Sequence, residues 1–302
     1  MPFVDPNIAR KNAFQNDHLA NAGSLPDGSP AFSEVEFNIT GLCNRVCFFC
    51  PRVDPDVFPN INEHLSLELY DKILADLKDI NYSGRVSYSG FGEPLLHPQH
   101  LDLIRATHEV LPDCWLDIAS NGDRVTAQKM TELFDAGLTT LLISMYDGEE
   151  QIEHFEKMIA EAQLPEGSVI LRKRYLPPEE SYGINVTNRA GMVTVNEVGV
   201  KVLTEPMKHP CYYTHYRMMI DYTGEVLLCP HDWGKKLIVG NLNQRSILEL
   251  WTGRILTSVR KRLGDGDRNF PPCDKCDVLG TRQGGEHFKA WQNHYQRDAQ
   301  PS

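Results

Sequence analysis

Two hydrophobic periods alternate along the chain from residue 33 onwards. Residues 35–39 alternate apolar and polar side chains as a strand does, and residues 66–78 carry apolar side chains at helical spacing behind Ser66, a typical N-cap. The order repeats, with predicted strands at 85–89, 115–119, 140–144 and 169–175 and predicted helices at 98–111, 125–136 and 149–163. Such alternation indicates parallel βαβ units. The pattern predicts an α/β fold, a partial (β/α)6 TIM-like barrel rather than eight closed repeats.

A different pattern marks the two ends of the chain. Residues 216–229 predict a β-hairpin that turns at residues 221–224, and residues 247–263 predict a helix. Residues 1–32 are polar and carry Pro and Gly, so this segment is expected to wrap the barrel or to be disordered. We therefore expect an N-terminal extension at 1–32, a barrel at 33–205 and a small hairpin-plus-helix domain at 206–302.

The composition narrows the possible functions. The chain has 302 residues with 41% hydrophobic and 24% charged side chains, as in an ordinary soluble protein. Its net charge of −11 argues against binding to duplex nucleic acid, which needs a basic face. No apolar run approaches the ~20 residues that span a bilayer, and residues 1–6 lack the layout of a signal peptide. Since all but one of the eight cysteines fall in metal-ligand spacings, we expect a reduced, cytoplasmic protein without a membrane or nucleic-acid partner.

Three cysteines, Cys43, Cys47 and Cys50, follow the first predicted strand in the spacing C-x3-C-x2-C. Three thiolates with no fourth nearby can hold a cubane iron–sulfur cluster and leave one iron open to a small molecule. Structural zinc normally takes four closed ligands, often in paired C-x2-C motifs, and therefore fits this spacing poorly.

Unusual residues also follow the other predicted strands. They include the segment Gly90-Phe-Gly-Glu-Pro94, then Asn121 and Ser144. Chemistry in such barrels collects at the C-terminal ends of strands, although Gly-Glu-Pro and Asn-Gly are also common turn sequences. Arg172 and Arg174 lie two apart on one strand and can share a face, where they suit either an anionic ligand or a solvated basic edge.

Taken in order, these elements resemble the radical S-adenosylmethionine (SAM) superfamily. The cysteine loop is similar down to the aromatic Phe49 before the last cysteine, and the segment at 90–94 resembles the family's Gly-Gly-Glu-Pro element with Phe91 in place of the middle glycine. The resemblance implies that the open iron of a [4Fe–4S] cluster binds SAM and cleaves it to a 5′-deoxyadenosyl radical. It also implies SAM contacts from the following residues: Phe49, Gly90, Gly92, Glu93, Asn121, Ser144 and Arg172.

A second cysteine set occupies the C-terminal third: Cys211, Cys229, Cys273 and Cys276. On spacing alone, a structural zinc ribbon and a cluster site are comparable. The order of cysteine, hairpin, cysteine, Gly-Asn-Leu, Leu-Trp helix and C-x2-C resembles the SPASM/twitch extension of radical SAM enzymes. That resemblance implies one auxiliary [4Fe–4S] cluster, held by four cysteines.

The resemblance also suggests a reaction. An auxiliary cluster with four cysteine ligands suits electron transfer, and the spacing is most similar to that of aminocyclitol dehydrogenases. We expect oxidation of a small polar alcohol, a sugar or an aminocyclitol, with a one-electron reductant such as flavodoxin or ferredoxin. A maturase of ribosomal peptides and a sugar epimerase are the alternatives, and a zinc-stabilised binding protein is the non-enzymatic one.

Individual residues can be assigned only in part. The remaining cysteine, Cys114, lies at the start of its predicted strand, away from the chemistry, so it offers an epimerase no thiol at the site. The last strand of the predicted barrel is expected to end near Asn188. Position alone makes four residues candidates for substrate contact: Tyr146, Arg174, Asn188 and Arg189. None of them is identified as a general base.

Overall fold

The computed structural model describes residues 7–56 and 58–298, so residues 1–6, where the sequence lacks a signal-peptide layout, and the last four residues of the predicted C-terminal domain lie outside it. The strands are β1 Glu34–Asn38, β2 Arg85–Tyr88, β3 Trp115–Ser120, β4 Thr140–Met145, β5 Val169–Lys173, β6 Arg217–Asp221, β7 Glu225–Leu227 and β8 Ile238–Asn241. The helices are α1 Asn7–Ala22, α2 Leu67–Asp79, α3 His100–Val110, α4 Ala127–Asp135, α5 Glu150–Glu161, α6 Tyr213–Tyr216, α7 Ile247–Trp251, α8 Arg254–Gly264 and α9 Gly285–Asp298. Among the helices of these ranges, none is long and apolar enough to cross a membrane.

One sheet organises the chain, in the order β5-β4-β3-β2-β1-β6-β7-β8. The six strands from β5 to β6 pair in parallel, and β7 and β8 continue the sheet antiparallel. Helices α2 to α5 alternate with β1 to β5, so the predicted α/β fold with a partial barrel is confirmed. Because parallel strands end at one edge, the segments after them converge there.

The sixth parallel strand is not where the sequence predicts it. A strand was expected to end near Asn188, but the segment between β5 and β6 forms the 3-10 turns Pro178–Gly183 and Asn196–Val198. Instead β6, the first strand of the predicted hairpin, pairs with β1 from Glu34↔Arg217 onwards. The hairpin itself is confirmed, and its turn closes with a bond from the Gly224 N–H to the Asp221 carbonyl (2.8 Å). Strands on both sides of residue 205 belong to the same sheet. The domain boundary expected at residue 205 therefore stays a prediction.

The helix expected at 247–263 is two helices. Ser246 and Glu249 form a capping box that starts α7, and Gly253 takes an extended conformation that separates α7 from α8. The buried Arg260 fixes the break, because it donates to the Trp251 carbonyl (2.7 Å) at the end of α7.

The N-terminal extension contributes an ordered helix. Arg10 of α1 lies 4.7 Å from the ring centroid of Trp115 and donates to the Thr140 hydroxyl (3.2 Å). Phe14 packs edge-on against the same Trp115. Trp115 and Thr140 begin β3 and β4, so α1 covers the N-terminal end of the barrel, opposite the edge where the strands end.

Charged residues fill the barrel interior above α1. Arg85 pairs with Glu34 and Asp117 (both 2.5 Å), and Arg217 pairs with the same Glu34 (2.8 Å). Glu34, Arg85 and Asp117 are almost fully buried. Because buried ions must be matched to be tolerated, β1, β2, β3 and β6 supply both signs of charge.

Candidate functional site

A cavity of about 270 Å³ lies at the C-terminal edge of the parallel strands. It brings together the ends of the five predicted strands and Arg189. Its lining includes Cys43, Cys47, Cys50, Phe49, Gly90, Gly92, Glu93, Asn121, Ser144, Tyr146, Arg172, Arg174 and Arg189. Apart from Asn188 and the second cysteine set, every residue that the sequence singled out for a site therefore lies at this cavity.

The turn at Gly90–Gly92 is held in place by hydrogen bonds to Asn38 of β1. The Asn38 side-chain oxygen accepts from the N–H groups of Phe91 (3.1 Å) and Gly92 (2.9 Å), while its nitrogen donates to Asp221 (2.6 Å). Gly90 has φ +106, and a Cβ on Gly92 would lie 2.2 Å from the Thr40 carbonyl. The Phe91 and Gly92 N–H groups thus hold the turn against β1 instead of facing the cavity.

Glu93 joins two strand ends. Its carboxylate accepts from the N–H groups of Leu95 (3.2 Å) and Asn121 (2.7 Å), the second of which follows β3. Burial raises the pKa of Glu93 to about 7, although both backbone N–H bonds oppose the rise. Glu93 is therefore a polar anchor for the turn, and its two oxygens are occupied by the chain.

Arg45, inside the cysteine loop, clamps that loop to β3 and β4. It donates to both oxygens of Asp123 (2.5 and 2.8 Å) and of Asp147 (2.6 and 2.8 Å). Beside it, the Asn121 amide donates to the Asn44 side chain (2.8 Å). Two bidentate carboxylate pairs on one guanidinium give the loop a fixed orientation at the cavity.

Arg52, two residues after Cys50, also fixes the cysteine loop, through bonds to the turn after β2 and to the start of the loop. It is 6% exposed and donates to the carbonyls of Phe91 (2.6 Å) and Gly41 (2.8 Å). The third bond goes to the Asn60 side chain (3.1 Å). The guanidinium therefore joins both ends of the cysteine loop to the turn after β2.

The wall formed by β4 and β5 carries cations. Ser144 and Arg172 are register partners, and the Arg172 guanidinium donates to the Ser144 hydroxyl (2.8 Å). Arg174 lines the same cavity and donates to the Gly183 carbonyl, while the intervening Lys173 is exposed. The predicted shared face of Arg172 and Arg174 is confirmed. Burial raises the pKa of Tyr146, whose ring stacks on Phe49 at a centroid distance of 6.0 Å.

Asn188 has a different place from the one expected. It is fully buried, and its amide donates to the carbonyls of Lys201 (3.0 Å) and Lys275 (2.7 Å). Its N–H donates to both oxygens of Asp277 (2.9 and 3.1 Å). Asn188 thus fastens its loop to the segment of the last cysteines and presents the neighbouring Arg189 to the cavity.

The first cysteine set fits a cluster with one open iron. Cys43, Cys47 and Cys50 are free thiols on one wall of the cavity. Burial raises the pKa of Cys47 to about 12, and the two other cysteines add to the rise, so the three sulfurs lie within electrostatic reach of one another. A thiol in such a place releases its proton when iron binds.

The second set gathers residues from three segments. Cys211 precedes α6, Cys229 follows β7, and Cys273 begins a 3-10 turn that ends just before Cys276. Burial raises the pKa of Cys229, and Cys273, Cys276 and Cys211 each raise it further, so the other three thiols lie within electrostatic reach of Cys229. That donor set fits a cluster with a cysteine for each of its four irons.

Arg268 holds this second set together. It is buried and donates to the carbonyls of His209 and Pro210 (both 3.0 Å), next to Cys211. It also donates to the carbonyls of Val278 (2.7 Å) and Leu279 (3.0 Å), beyond Cys276. Sequence reasoning missed Arg45, Arg52 and Arg268; the available signal was an arginine inside or next to each cysteine motif.

The eighth cysteine, Cys114, lies apart from both cysteine sets. Cys114 is buried at the start of the barrel strands, where its thiol faces the Tyr82 carbonyl (3.6 Å), far from the strand ends as expected. Over residues 7–56 and 58–298, no three His, Cys, Asp or Glu side chains form a group that could hold a single metal ion. The fit to clusters therefore depends on the shared locations of the thiols.

Family comparisons agree with this arrangement. Residues 37–166 match the model of the radical SAM superfamily, and residues 211–277 match that of the SPASM iron–sulfur cluster-binding domain. The first range contains Cys43, Cys47 and Cys50, and the second contains the other four cysteines of the two sets.

Two known proteins resemble the chain in sequence. The S-adenosyl-L-methionine-dependent 2-deoxy-scyllo-inosamine dehydrogenase of Niallia circulans is 25% identical over 253 residues, which are 83% of this chain and 95% of that protein. The tungsten-containing aldehyde ferredoxin oxidoreductase cofactor-modifying protein of Pyrococcus furiosus is 27% identical over 107 residues, 35% of this chain and 29% of that protein.

Two solved structures share the fold. BtrN in complex with AdoMet and 2-DOIA has a TM-score of 0.69 at 22% identity, covering 85% of this chain and 98% of its own. A histidine-tagged form of anSMEcpe with bound AdoMet has a TM-score of 0.52 at 11% identity, covering 89% of this chain and 94% of its own.

Proposed function

Because this chain belongs to the radical SAM superfamily and carries a SPASM domain, we propose that it oxidises an alcohol group of a small polar molecule to a ketone. When bound, SAM and a [4Fe–4S] cluster at the first cysteine set supply a carbon-centred radical, and an auxiliary cluster at the second set supplies a one-electron acceptor. Conversion of a secondary alcohol to a ketone removes one hydrogen atom, one proton and one electron. The radical accounts for the hydrogen atom and the one-electron acceptor for the electron, and a base at the site must take the proton.

The observation that carries the proposal is the second cysteine set. Four thiols share that site, so each iron of a cubane would have its own protein ligand, which suits electron transfer rather than substrate binding. The dehydrogenase of Niallia circulans, which matches most of the chain, is named for the oxidation of an aminocyclitol. A sugar or an aminocyclitol alcohol is the corresponding substrate class here.

Residues of the chain position the reactants in this proposal. Phe49, Asn121, Ser144 and Arg172 contact SAM beside the first cysteine set, together with the turn at Gly90–Glu93. Tyr146, Arg174 and Arg189 face the substrate. A one-electron reductant such as flavodoxin or ferredoxin starts each SAM cleavage, and a reducing cytoplasm suits a chain whose eight cysteines are all free thiols.

The two cysteine sets can be tested separately in anaerobically reconstituted protein. Cys43→Ala is expected to abolish formation of 5′-deoxyadenosine with a chemical reductant, because the SAM-binding cluster loses a ligand. Cys273→Ala combined with Cys276→Ala is expected to leave part of that cleavage but to stop ketone formation from a panel of polyhydroxy alcohols. Ketone formation by the double variant at the wild-type rate would remove the electron-acceptor role.

A further inference from the structure

A second cavity, of about 500 Å³, adjoins the one described above. The two share Arg172, Arg174, Ile184 and Arg189 in their walls, and we call the second cavity the junction chamber. Its other walls come from α1, from β6 and from residues next to the second cysteine set, including Pro230 and Asp277. The chamber thus lies between the barrel and the second set and has the size of a small-molecule site.

The walls of the junction chamber are strongly cationic. Among the described residues that line it, Asp277 is the one carboxylate. Six of the lining residues carry cationic side chains: Lys11, Arg172, Arg174, Arg189, Arg217 and Arg282. Both Asp277 oxygens accept the Asn188 N–H, so this carboxylate is engaged by the backbone. Arg217 has carboxylate partners in Glu34 and Glu36 (both 2.8 Å). A protonated amine in the chamber would meet an excess of like charge.

Arg189 is presented to the chamber by strained backbone. Arg189 and Ala190 have φ of +47° and +54°, in the left-handed region that residues with a Cβ rarely adopt. Asn188 holds the loop in this form through its bonds to Lys201, Lys275 and Asp277. The Arg189 Nε is buried and has no hydrogen-bond partner among residues 7–56 and 58–298. A strained loop that places a guanidinium in the wall shared by the two cavities points to a ligand with acceptor oxygens.

We propose that the junction chamber binds an anionic group of the substrate, so that the alcohol to be oxidised belongs to a polyhydroxy compound bearing a phosphate or a carboxylate. This inference rests on the proposed function for the location of the reaction. Guanidinium groups bind both anions with two parallel bonds, and Arg189 with Lys11 would hold the anionic end. Arg172 and Arg174, which line both cavities, would then lie nearer the reacting carbon.

Binding of matched sugars tests the inference directly. Glucose, glucosamine, glucuronate and glucose 6-phosphate share one ring and differ in charge, and each is titrated calorimetrically into anaerobic, cluster-loaded protein with SAM. We expect at least one of the two anions to bind about tenfold more tightly than glucose, because charged hydrogen bonds replace neutral ones. The anion that gains more identifies the group as phosphate or carboxylate.

Two variants locate the effect. Arg189→Asn removes the charge with a residue that tolerates positive φ, and Lys11→Gln removes the cation from α1. Each is expected to lose most of the anion preference while the iron content stays at the wild-type value. Arg105→Asn, on the exposed face of α3, is the matched control and is expected to retain the preference.

The outcomes separate this inference from the proposed function. Equal binding of glucose and both anions, absence of anion binding at millimolar concentration, or a preference unchanged in both variants would overturn it. Oxidation of glucosamine or glucose in preference to the anions would also overturn it and would leave the dehydrogenase in place. Anion binding that depends on Arg189, without ketone formation from any alcohol, would support the chamber and remove the proposed reaction.

Discussion

At the scale of single residues, three arginines tie the cysteine loops to the rest of the chain. Arg45 and Arg52 hold the two sides of the first loop, and Arg268 joins the two ends of the second set. Each donates several bonds in fixed directions, which lysine cannot reproduce. Cysteine spacing predicts the ligands, whereas the carboxylates that Arg45 meets and the carbonyls that Arg52 and Arg268 meet come from other segments and are invisible in a local motif.

Arg52→Lys tests this positioning. The substitution keeps the charge but leaves the Phe91 and Gly41 carbonyls without their guanidinium partners. Unsatisfied buried carbonyls are expected to lower the free energy of unfolding by about 2 kcal/mol. For a chain of 302 residues, this lowers the melting temperature by roughly 3 °C. Thermal unfolding of anaerobic, reconstituted protein measures the change.

Arg105→Lys supplies the control for that substitution, because Arg105 lies on exposed α3 and pairs with Asp102 in an ordinary i,i+3 contact. It is expected to melt within a degree or so of the wild type, since exposed pairs contribute little. A melting temperature for Arg52→Lys that equals that of the control would show that the guanidinium does not position the loop.

At the scale of elements, α1 covers the N-terminal end of the barrel strands and packs against α9. His18 of α1 is 7% exposed and packs near Phe14 and Tyr82, and within the described part of the chain neither of its ring nitrogens has a hydrogen-bond partner. Burial lowers the pKa of His18 to about 4 and that of His287 in α9 to about 3, and His18 adds to the effect on His287. Both rings are therefore buried in the neutral form.

This burial predicts a loss of stability in mild acid. In the unfolded chain His18 is protonated below about pH 6.5, whereas in the folded chain it is protonated only below about pH 4. The contribution of the buried neutral ring to the free energy of unfolding is therefore full above pH 6.5 and falls as the pH drops to 4. Between pH 7.5 and 5.0 the loss is about 2 kcal/mol, at 1.36 kcal/mol for each pKa unit below 6.5. His18→Phe, which keeps the ring packing, is expected to cancel most of it.

The difference in melting temperature between variant and wild type, taken at both pH values, isolates this effect from any acid sensitivity of the clusters. His154→Phe on α5, where the histidine is exposed, is the control and is expected to show the same difference at both values. If His18→Phe behaves like His154→Phe, the neutral burial of His18 is not what limits stability in acid.

Prediction from sequence succeeded for the elements with a strong local period. Strands β1 to β5 and helices α2 to α5 lie within a few residues of their predicted positions, because burial of one face imposes the period. The helix α1 escaped prediction, since its sequence is polar and gains order through Trp115 and α9. The pairing of β6 with β1 is a long-range contact, and the apolar run within β6 specifies no partner.

At the scale of the whole molecule, one chamber separates two cysteine sets. The first set lies at the strand ends and the second lies beyond the loop of Asn188 and Arg189, which contacts both regions. The sequence predicted both sets and, of the cations between them, Arg172, Arg174 and Arg189. It placed Asn188 at the substrate, whereas the structure uses that residue to fasten the loop.

The iron and acid-labile sulfide content of the anaerobically reconstituted protein tests the two-cluster account most directly. The wild type is compared with the Cys43/Cys47/Cys50→Ala and Cys229/Cys273/Cys276→Ala variants. The account predicts about eight irons in the wild type and about four in each variant, since each [4Fe–4S] cluster contributes four. About four irons in the wild type, with zinc kept when the first set is removed, would contradict it and make the C-terminal site structural.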